Sequence, residues 1–348
     1  MDRNGILLAG LQPATARIIE IGPSFSPVAP KRYGWRTTVV DHTDRAGLVA
    51  KYGVHHGLDI GAIEDVDHVW AGGLLHGVIP TADHRTYHAL IASHVIEHLV
   101  DPISFLDSAD RLLAPGGRVL LAVPDLRLCF DCLRPVSTTG QIIAAWREKR
   151  QRHSWAAVFD AHAYDARPDG QRPSWPRGFA FEPKLVGELH EIGRTLEGYR
   201  DSGEGAYLDV HGWTFTPASF ALLMLETRAL GLSRWRVTEL VECESVEFLV
   251  VLERDERPPL VGEALARERI ALLLRRCAEL RDLADWLLGD RAAVPAYPPI
   301  RPVSDQDSPL RPMSSTEPSS NAEPTLAHVT QALLRMTETL QSVRRGGK

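Results

Sequence analysis

Three short stretches and two isolated residues of this 348-residue chain are of types that do chemistry. They are Glu20-Ile21-Gly22-Pro23-Ser24, Asp41-His42, the run from Ser93 to His98, and the more distant Asp125 and His211. A glycine after a strand lets a ligand approach the backbone closely. A carboxylate about 20 positions later can accept two hydrogen bonds from a ribose diol, and Gly22 and Asp41 have that separation. The second and third glycines of G-x-G-x-x-G are missing, so a pyrophosphate on a helix N-terminus is poorly supported. A nucleoside without a diphosphate fits better. The alternative reading is a glycine turn beside an unrelated strand-end aspartate.

Other motifs are weaker. His94-Val95-Ile96-Glu97-His98 matches H-x-x-E-H, the inverted zinc-peptidase pattern, which needs both histidines on one helix face. Here His94 directly follows an apolar run and Asp101-Pro102 starts a new helix, so no metal is expected. Cys129 and Cys132 have C-x-x-C spacing without a second pair, and read as small buried side chains. Arg127 and Arg134, with Asp131, either hold an anionic or sugar substrate or form ordinary salt bridges. His211 and Asp125 are candidate general bases; a histidine in a turn and a capping aspartate are the alternative.

Positioning these residues requires strands that end at them. Apolar runs at 17–21, 37–40, 89–92 and 118–123 stop at Gly22, Asp41, Ser93 and Pro124, and a later pair covers 237–241 and 247–252. Short buried runs alternating with helical patterns indicate a parallel α/β sheet, whose ligands sit at the carboxyl ends of the strands. Asp101 caps a helix over 102–113 with Pro102 at its first position, and Thr216 caps one over 217–230 that Gly231 stops. The segment 135–212, rich in Trp, His and Arg, reads as an insertion forming a lid, with helical pieces at 139–150 and 182–196. Its tryptophans either stack on sugar rings or form the lid's own core.

The stretch EIGPSFSPVAPKRYGWRTTVVDH, followed by IASHVIEHLVDPISFLDSADRLLAPGGRVLLAVPD, resembles the class I S-adenosylmethionine (SAM) dependent methyltransferases of the type 11 group. The resemblance runs from Arg17 to Asp125 and more loosely to the end of the sheet. It implies a Rossmann-like, doubly wound, seven-stranded, mainly parallel sheet with SAM as cofactor. It also implies that Glu20, Gly22 and the Pro23-Ser24 backbone line the methionine and ribose, and that Asp41 binds the ribose hydroxyls with His42 near the adenine. Ser93 and His94 would lie under the cofactor. The arrangement looks like bacterial methyltransferases found beside surface-polysaccharide genes, so the implied reaction is O-methylation of a small molecule or glycan. Ser93-His94-Val95-Ile96 stands where methyltransferases of nucleic-acid bases often carry Asn/Asp-Pro-Pro-aromatic. Two features depart from the pattern: only Gly22 remains of G-x-G, and DHVWAGGLLHG lacks the acidic residue that usually holds the adenine amine. They favour the rival reading, a non-catalytic member of the fold that serves as a scaffold or binding protein.

Composition narrows the partners. The net charge of −6 gives a poor surface for nucleic acid. Four cysteines suit a reducing compartment, and the apolar N-terminal run is too short for a signal peptide, so a cytoplasmic protein without a membrane span is expected. The methyltransferase domain is placed at 1–258 and an amphipathic helix at 259–290. A Pro/Ser-rich linker over 291–324 and a short helix over 325–348 follow. The first helix carries a stripe of Ile270, Leu273, Cys277, Leu280, Ala284 and Leu287, and the second one of Leu326, Val329, Leu333, Met336, Leu340 and Val343. Either could serve a homo-oligomer or a protein partner.

Overall fold

The computed structural model describes residues 2–54, 57–200 and 207–288. Chain segments outside these ranges, including the linker and the stripe from Leu326 to Val343, lie outside the described residues. Among the described residues no helix is long and apolar enough to cross a membrane.

The chain forms a Rossmann-like α/β fold around one seven-stranded sheet. Its strands are β1 (Arg17–Ile21), β2 (Arg36–Asp41), β3 (His68–Val69), β4 (Tyr87–Ser93), β5 (Leu113–Pro124), β8 (Trp235–Glu242) and β9 (Glu247–Arg254). The spatial order is β3-β2-β1-β4-β5-β9-β8. The first five strands run parallel, and β9 inserts antiparallel between β5 and β8. Central strands covered on both faces must be apolar throughout; Ile18, Ile19, Leu90, Ile91, Leu120 and Leu121 are all fully buried. Strand order reverses between β1 and β4, so the crevice beyond Ile21 and Ser93 is where such sheets take ligands.

Helices α1 (Arg3–Leu7), α2 (Arg45–Tyr52), α3 (Pro102–Leu112) and α7 (Pro217–Ala229) flank the sheet. Asp101 caps α3 by accepting from the Ser104 N–H, and Thr216 with Ser219 forms a reciprocal capping box on α7, each behind a first-position proline. Between β5 and α7 the chain makes α4 (Thr139–Arg147), α5 (Trp155–Ala163), a two-stranded hairpin of β6 (Ala166–Arg167) and β7 (Lys184–Leu185), and α6 (Leu189–Leu196). Val158, Ile192, Leu196, Tyr199 and Val210 form a small core of its own. The helix expected from 182 begins only at Leu189, where Glu188 caps it by accepting from His190 and Glu191.

The last described helix, α8 (Gly262–Leu288), packs on α7 and on the chain after β5. Its buried positions are Glu279 and Leu283; of the stripe expected from sequence, Leu280 and Leu287 pack beside Leu283, whereas Ile270, Cys277 and Ala284 are exposed. Glu279 explains the difference. Its carboxylate accepts from the Ala218 N–H at 3.2 Å from each oxygen, and so serves the positive end of α7.

Candidate functional site

A cavity of about 1980 Å³ opens at the carboxyl ends of β1, β2 and β4, and its wall includes Tyr207, Asp209 and His211 from the inserted segment. Gly22, Pro23, Ser24, Asp41, His42, Ser93, His94 and His211 all line it. Sequence reasoning therefore places eight of its candidates on one surface.

On the β1–β2 side the backbone turns sharply. Gly22 has φ +62° and Ser24 φ +48°, conformations that favour a missing or short polar side chain. A Cβ on Gly22 would stand 3.2 Å from Val95 Cγ2, so only glycine leaves this ledge open. Asp41 is buried; its Oδ2 accepts from the Ser24 N–H at 3.2 Å, and its Oδ1 accepts from the His42 N–H at 2.8 Å. The same Oδ1 lies 2.7 Å from His42 Nδ1. The carboxylate thus ties the loop after β1 to the end of β2. Trp70, directly after β3, lines the cavity where no acidic residue was found. An open glycine ledge beside a buried strand-end carboxylate fits a nucleoside.

Glu20 does not belong to this wall. Its carboxylate turns away and accepts from the Val28 N–H at 2.6 Å and the Ala29 N–H at 3.1 Å. Burial pushes its pKa up to about 7, against the pull of those two donors. Glu20 holds the loop that carries Gly22; the cavity wall is formed by the neighbouring Ile21 and Gly22.

Beyond β4 the backbone enters the left-handed region at His94, φ +53°, a costly conformation for a non-glycine residue. The turn that follows is a single 3-10 turn, Ile96–His98, so His94 and His98 do not share a helix face as a zinc peptidase requires. His94 Nε2 instead meets Glu247 Oε2 at 2.8 Å. Arg3 completes that corner, donating from Nε to Glu247 at 2.5 Å and from Nη2 to Ser93 Oγ at 2.5 Å. Burial opposes the Glu247 charge, but the His94 bond and the Arg3 charge hold its pKa down to about 2.

The inserted segment closes the other side. Tyr207 donates its hydroxyl to the His98 carbonyl at 2.7 Å, and the Trp213 N–H donates to the Glu97 carbonyl at 3.1 Å. Asp209 Oδ1 lies 3.0 Å from His98 Nδ1, and Asp131 Oδ2 lies 2.5 Å from His211 Nδ1. Burial disfavours charge at His98, but Asp209 overrides it and raises the pKa to about 9. Despite burial, both carboxylates are held well below their usual range, Asp131 by His211 and Arg134 and Asp209 chiefly by His98.

Asp125 is the second candidate that the structure moves. It is fully buried beneath the cavity floor, where Arg127 donates from Nε and Nη2 to its carboxylate, so it cannot reach a substrate as a base. Arg134 is equally committed, to Asp131 at 2.6 Å and the His211 carbonyl at 2.8 Å. The two arginines are structural ion pairs. Cys129 and Cys132 are buried thiols, and burial pushes Cys132 up to about 12. Of the tryptophans, Trp146 lines the cavity, whereas Trp175 and Trp213 are buried and donate to the Arg127 and Leu99 carbonyls.

Several cavity residues escaped the sequence reading. Glu97 and His98 were visible in H-x-x-E-H but set aside with the zinc-peptidase geometry. Asp209 and Tyr207 stand just before His211 in a stretch without periodicity, and Arg3 and Glu247 join the site only through tertiary folding.

A profile of the methyltransferase domain family matches residues 1–181, just over half of the chain. The chain belongs to this methyltransferase family. The match is to the methyltransferase domain as such; neither the type 11 grouping nor a polysaccharide association rests on it. No curated protein matches the sequence. Among solved structures, the mitomycin 7-O-methyltransferase MmcR is similar at 13% identity and TM-score 0.35, over 72% of this chain and 52% of that one. The chain therefore spans about half of that protein's length. A SAM-dependent methyltransferase from Mesorhizobium loti is similar at 11% identity and TM-score 0.36, over 72% and 96% of the two chains. A protein described as a zinc-dependent alcohol dehydrogenase from Rhodobacter sphaeroides is similar at 13% identity and TM-score 0.39, over 73% and 90%. At these scores the likenesses add nothing to the fold described above.

Proposed function

We propose that this methyltransferase-family chain transfers a methyl group from SAM to an oxygen of a small molecule or glycan. The observation that carries the reading is one continuous cavity with two chemically distinct ends. The Gly22 ledge and buried Asp41 suit a ribose and its sulfur-bearing substituent, while carboxylate-backed imidazoles suit a hydroxyl acceptor.

When bound, SAM supplies a methyl carbon on a sulfonium, and the acceptor oxygen bonds to that carbon as the carbon–sulfur bond breaks. The chain's work is mostly positioning, because displacement needs an in-line approach. Asp41 receives ribose hydroxyls, and Gly22 admits the ligand to the backbone. His211 faces the acceptor end with Asp131 on its far nitrogen. Asp131 fixes the Nδ1–H tautomer and leaves Nε2 to take the hydroxyl proton. Tyr207 and Trp146 also line the cavity.

A second reading, a non-catalytic binding member of the family, draws support from Asp41. Its carboxylate already accepts from Ser24 and His42. Titration calorimetry with SAM and with its demethylated product separates the two. The enzyme reading expects saturable binding of both, followed by methyl transfer when a panel of hydroxylated small molecules and glycans is offered. Absence of SAM binding at high cofactor concentration overturns it.

A further inference from the structure

Among the described residues Glu97 combines full burial with an unpartnered carboxylate. It is 1% exposed, and neither carboxylate oxygen has a hydrogen-bond partner. Burying an ionisable group without a partner is expensive, and a carboxylate is normally paired or bound to a cation. Three imidazoles nevertheless surround Oε1: His94 Nδ1 at 3.7 Å, His98 Nε2 at 3.7 Å and His211 Nε2 at 3.9 Å. These separations are too long for hydrogen bonds. They are close to the spacing of ligand atoms around one small ion, about 3.3–3.5 Å for a tetrahedral centre with bonds of about 2.0–2.1 Å. One donor atom each from Glu97, His98 and His211 lies within 4.8 Å of the other two.

The far nitrogens complete the pattern. His211 Nδ1 is hydrogen-bonded to Asp131 at 2.5 Å, and His98 Nδ1 stands 3.0 Å from Asp209 Oδ1, an ion-pair approach without hydrogen-bond alignment. Metal-bound histidines almost always carry such a carboxylate or carbonyl partner, which fixes the tautomer and points the other lone pair at the metal. The backs of these carboxylates are charge-balanced in turn, Asp131 by Arg134 at 2.6 Å and Asp209 by Lys51 at 3.6 Å. His94 Nδ1 also stands 3.7 Å from Glu97 Oε1, but among the described residues only Glu97, His98 and His211 bring their donor atoms within 4.8 Å of one another.

We propose that Glu97, His98 and His211 form a binding site for a divalent transition-metal ion at the acceptor end of the cavity. Two imidazoles and one carboxylate favour zinc and its neighbours over calcium or magnesium, which prefer oxygen ligands. Three protein ligands facing a cavity leave a coordination position open, as in catalytic zinc sites. An ion there would act as a Lewis acid beside the acceptor hydroxyl and would occupy the His211 Nε2 lone pair, so that metal activation replaces His211 as the base; that consequence rests on the methyltransferase reading, whereas the binding itself does not. The site departs from the metal-free expectation of the sequence, because His211 comes from 114 positions beyond Glu97 and replaces the helical partner that H-x-x-E-H would supply.

The test is zinc uptake by the full chain after chelator treatment, read by equilibrium dialysis, with cobalt(II) visible absorption as a second readout. One ion per chain is expected. Glu97→Gln, close to isosteric, and His211→Ala should each lower affinity by at least about 100-fold, and Asp131→Asn by about 10–100-fold. His190→Ala, on the exposed side of α6, should change nothing. Near-ultraviolet circular dichroism and SAM calorimetry on the same samples report whether each variant is folded. No zinc uptake by the wild type, or unchanged affinity in folded Glu97→Gln, overturns the site. SAM binding without zinc uptake ends this proposal alone; zinc uptake without SAM binding ends the methyltransferase reading and leaves the site standing.

Discussion

Arg127 grips Asp125 in a two-point ion pair, Nε to Oδ1 at 2.9 Å and Nη2 to Oδ2 at 2.6 Å, with both side chains shut away from solvent. The same Nη2 reaches Glu242 at 3.0 Å, so one guanidinium joins the ends of β5 and β8. This pair, not a catalytic role, explains a charged residue at the end of β5.

Removing half of such a pair strands a buried charge, which typically costs about 3–5 kcal/mol. Asp125→Ala should therefore unfold at markedly lower urea concentration than the wild type. The double variant Asp125→Leu/Arg127→Met should regain most of the loss, because an apolar pair of similar volume strands no charge. SAM affinity should be unchanged in whatever folds. A stable Asp125→Ala protein that had lost methyl transfer would return Asp125 to the list of candidate bases.

The ledge at Gly22 makes a separable prediction for cofactor binding. Gly22→Ala forces a side chain into φ +62° and against Val95 Cγ2 at 3.2 Å, so SAM affinity should fall while the fold survives. Adding Val95→Ala relieves the contact but not the backbone strain, and should restore affinity only in part. Asp41→Ala should weaken SAM by about 1–3 kcal/mol, the range for hydrogen bonds to a charged group. Calorimetry showing wild-type affinity in Asp41→Ala would sink the ribose assignment.

How much of this could be read beforehand follows from where each constraint is local. Strand β1 and the starts of α3 and α7 were legible to the residue, because Gly22, Asp101-Pro102 and Thr216-Pro217 are punctuation written in the chain itself. That Gly22, Asp41 and Ser93 line the cavity was legible because strand ends are where such sheets open their crevice. Glu20 and Asp125 also stand near strand ends, yet both turn inward, and the partners that hold them there are invisible in a list of types. The α8 stripe was legible only in part, at Leu280 and Leu287, for a related reason. Spacing identifies an apolar face but not whether a buried glutamate will be called to the end of α7. Helix α5 and the contacts of Tyr207 and Asp209 were missed because the insertion's small core is assembled from pieces without sustained period.

A close approach inside the insertion can be tested by size alone. A Cβ on Gly212 would stand 2.3 Å from His153 Cε1 and Nδ1, and His153 is buried with its Nε2 3.0 Å from the His98 carbonyl. Gly212→Ala must therefore push the ring aside, with a destabilisation of about 1–3 kcal/mol expected for an overpacked interior. Gly212→Ala combined with His153→Ala should be more stable than the sum of the two single effects, because the clash partner is gone. Strict additivity in urea unfolding would show that the ring had room to move.

Glu20 predicts a pH dependence with a definite sign. Its pKa is raised by burial from 4.5 to about 7, so between those values the folded chain holds a proton that the unfolded chain has released. The native state then binds more protons, and stability must fall as pH rises through that window. The expected loss is roughly 3 kcal/mol, from about 2.5 units at 1.36 kcal/mol each; it is fully absent below about pH 4.5 and complete above about pH 7. Other titrating groups add their own slopes, so the measurement is a comparison. Urea unfolding of the wild type and Glu20→Gln at pH 5 and pH 7.5 should show the wild type losing about 2 kcal/mol more than the variant, the part of the total that falls between those two pH values. The variant itself should be less stable at pH 7.5 only to the extent that its amide group meets the Val28 or Ala29 N–H where an acceptor stood. Parallel pH profiles in the two proteins would mean that those two backbone donors fully offset burial, and that Glu20 is ionised throughout the range.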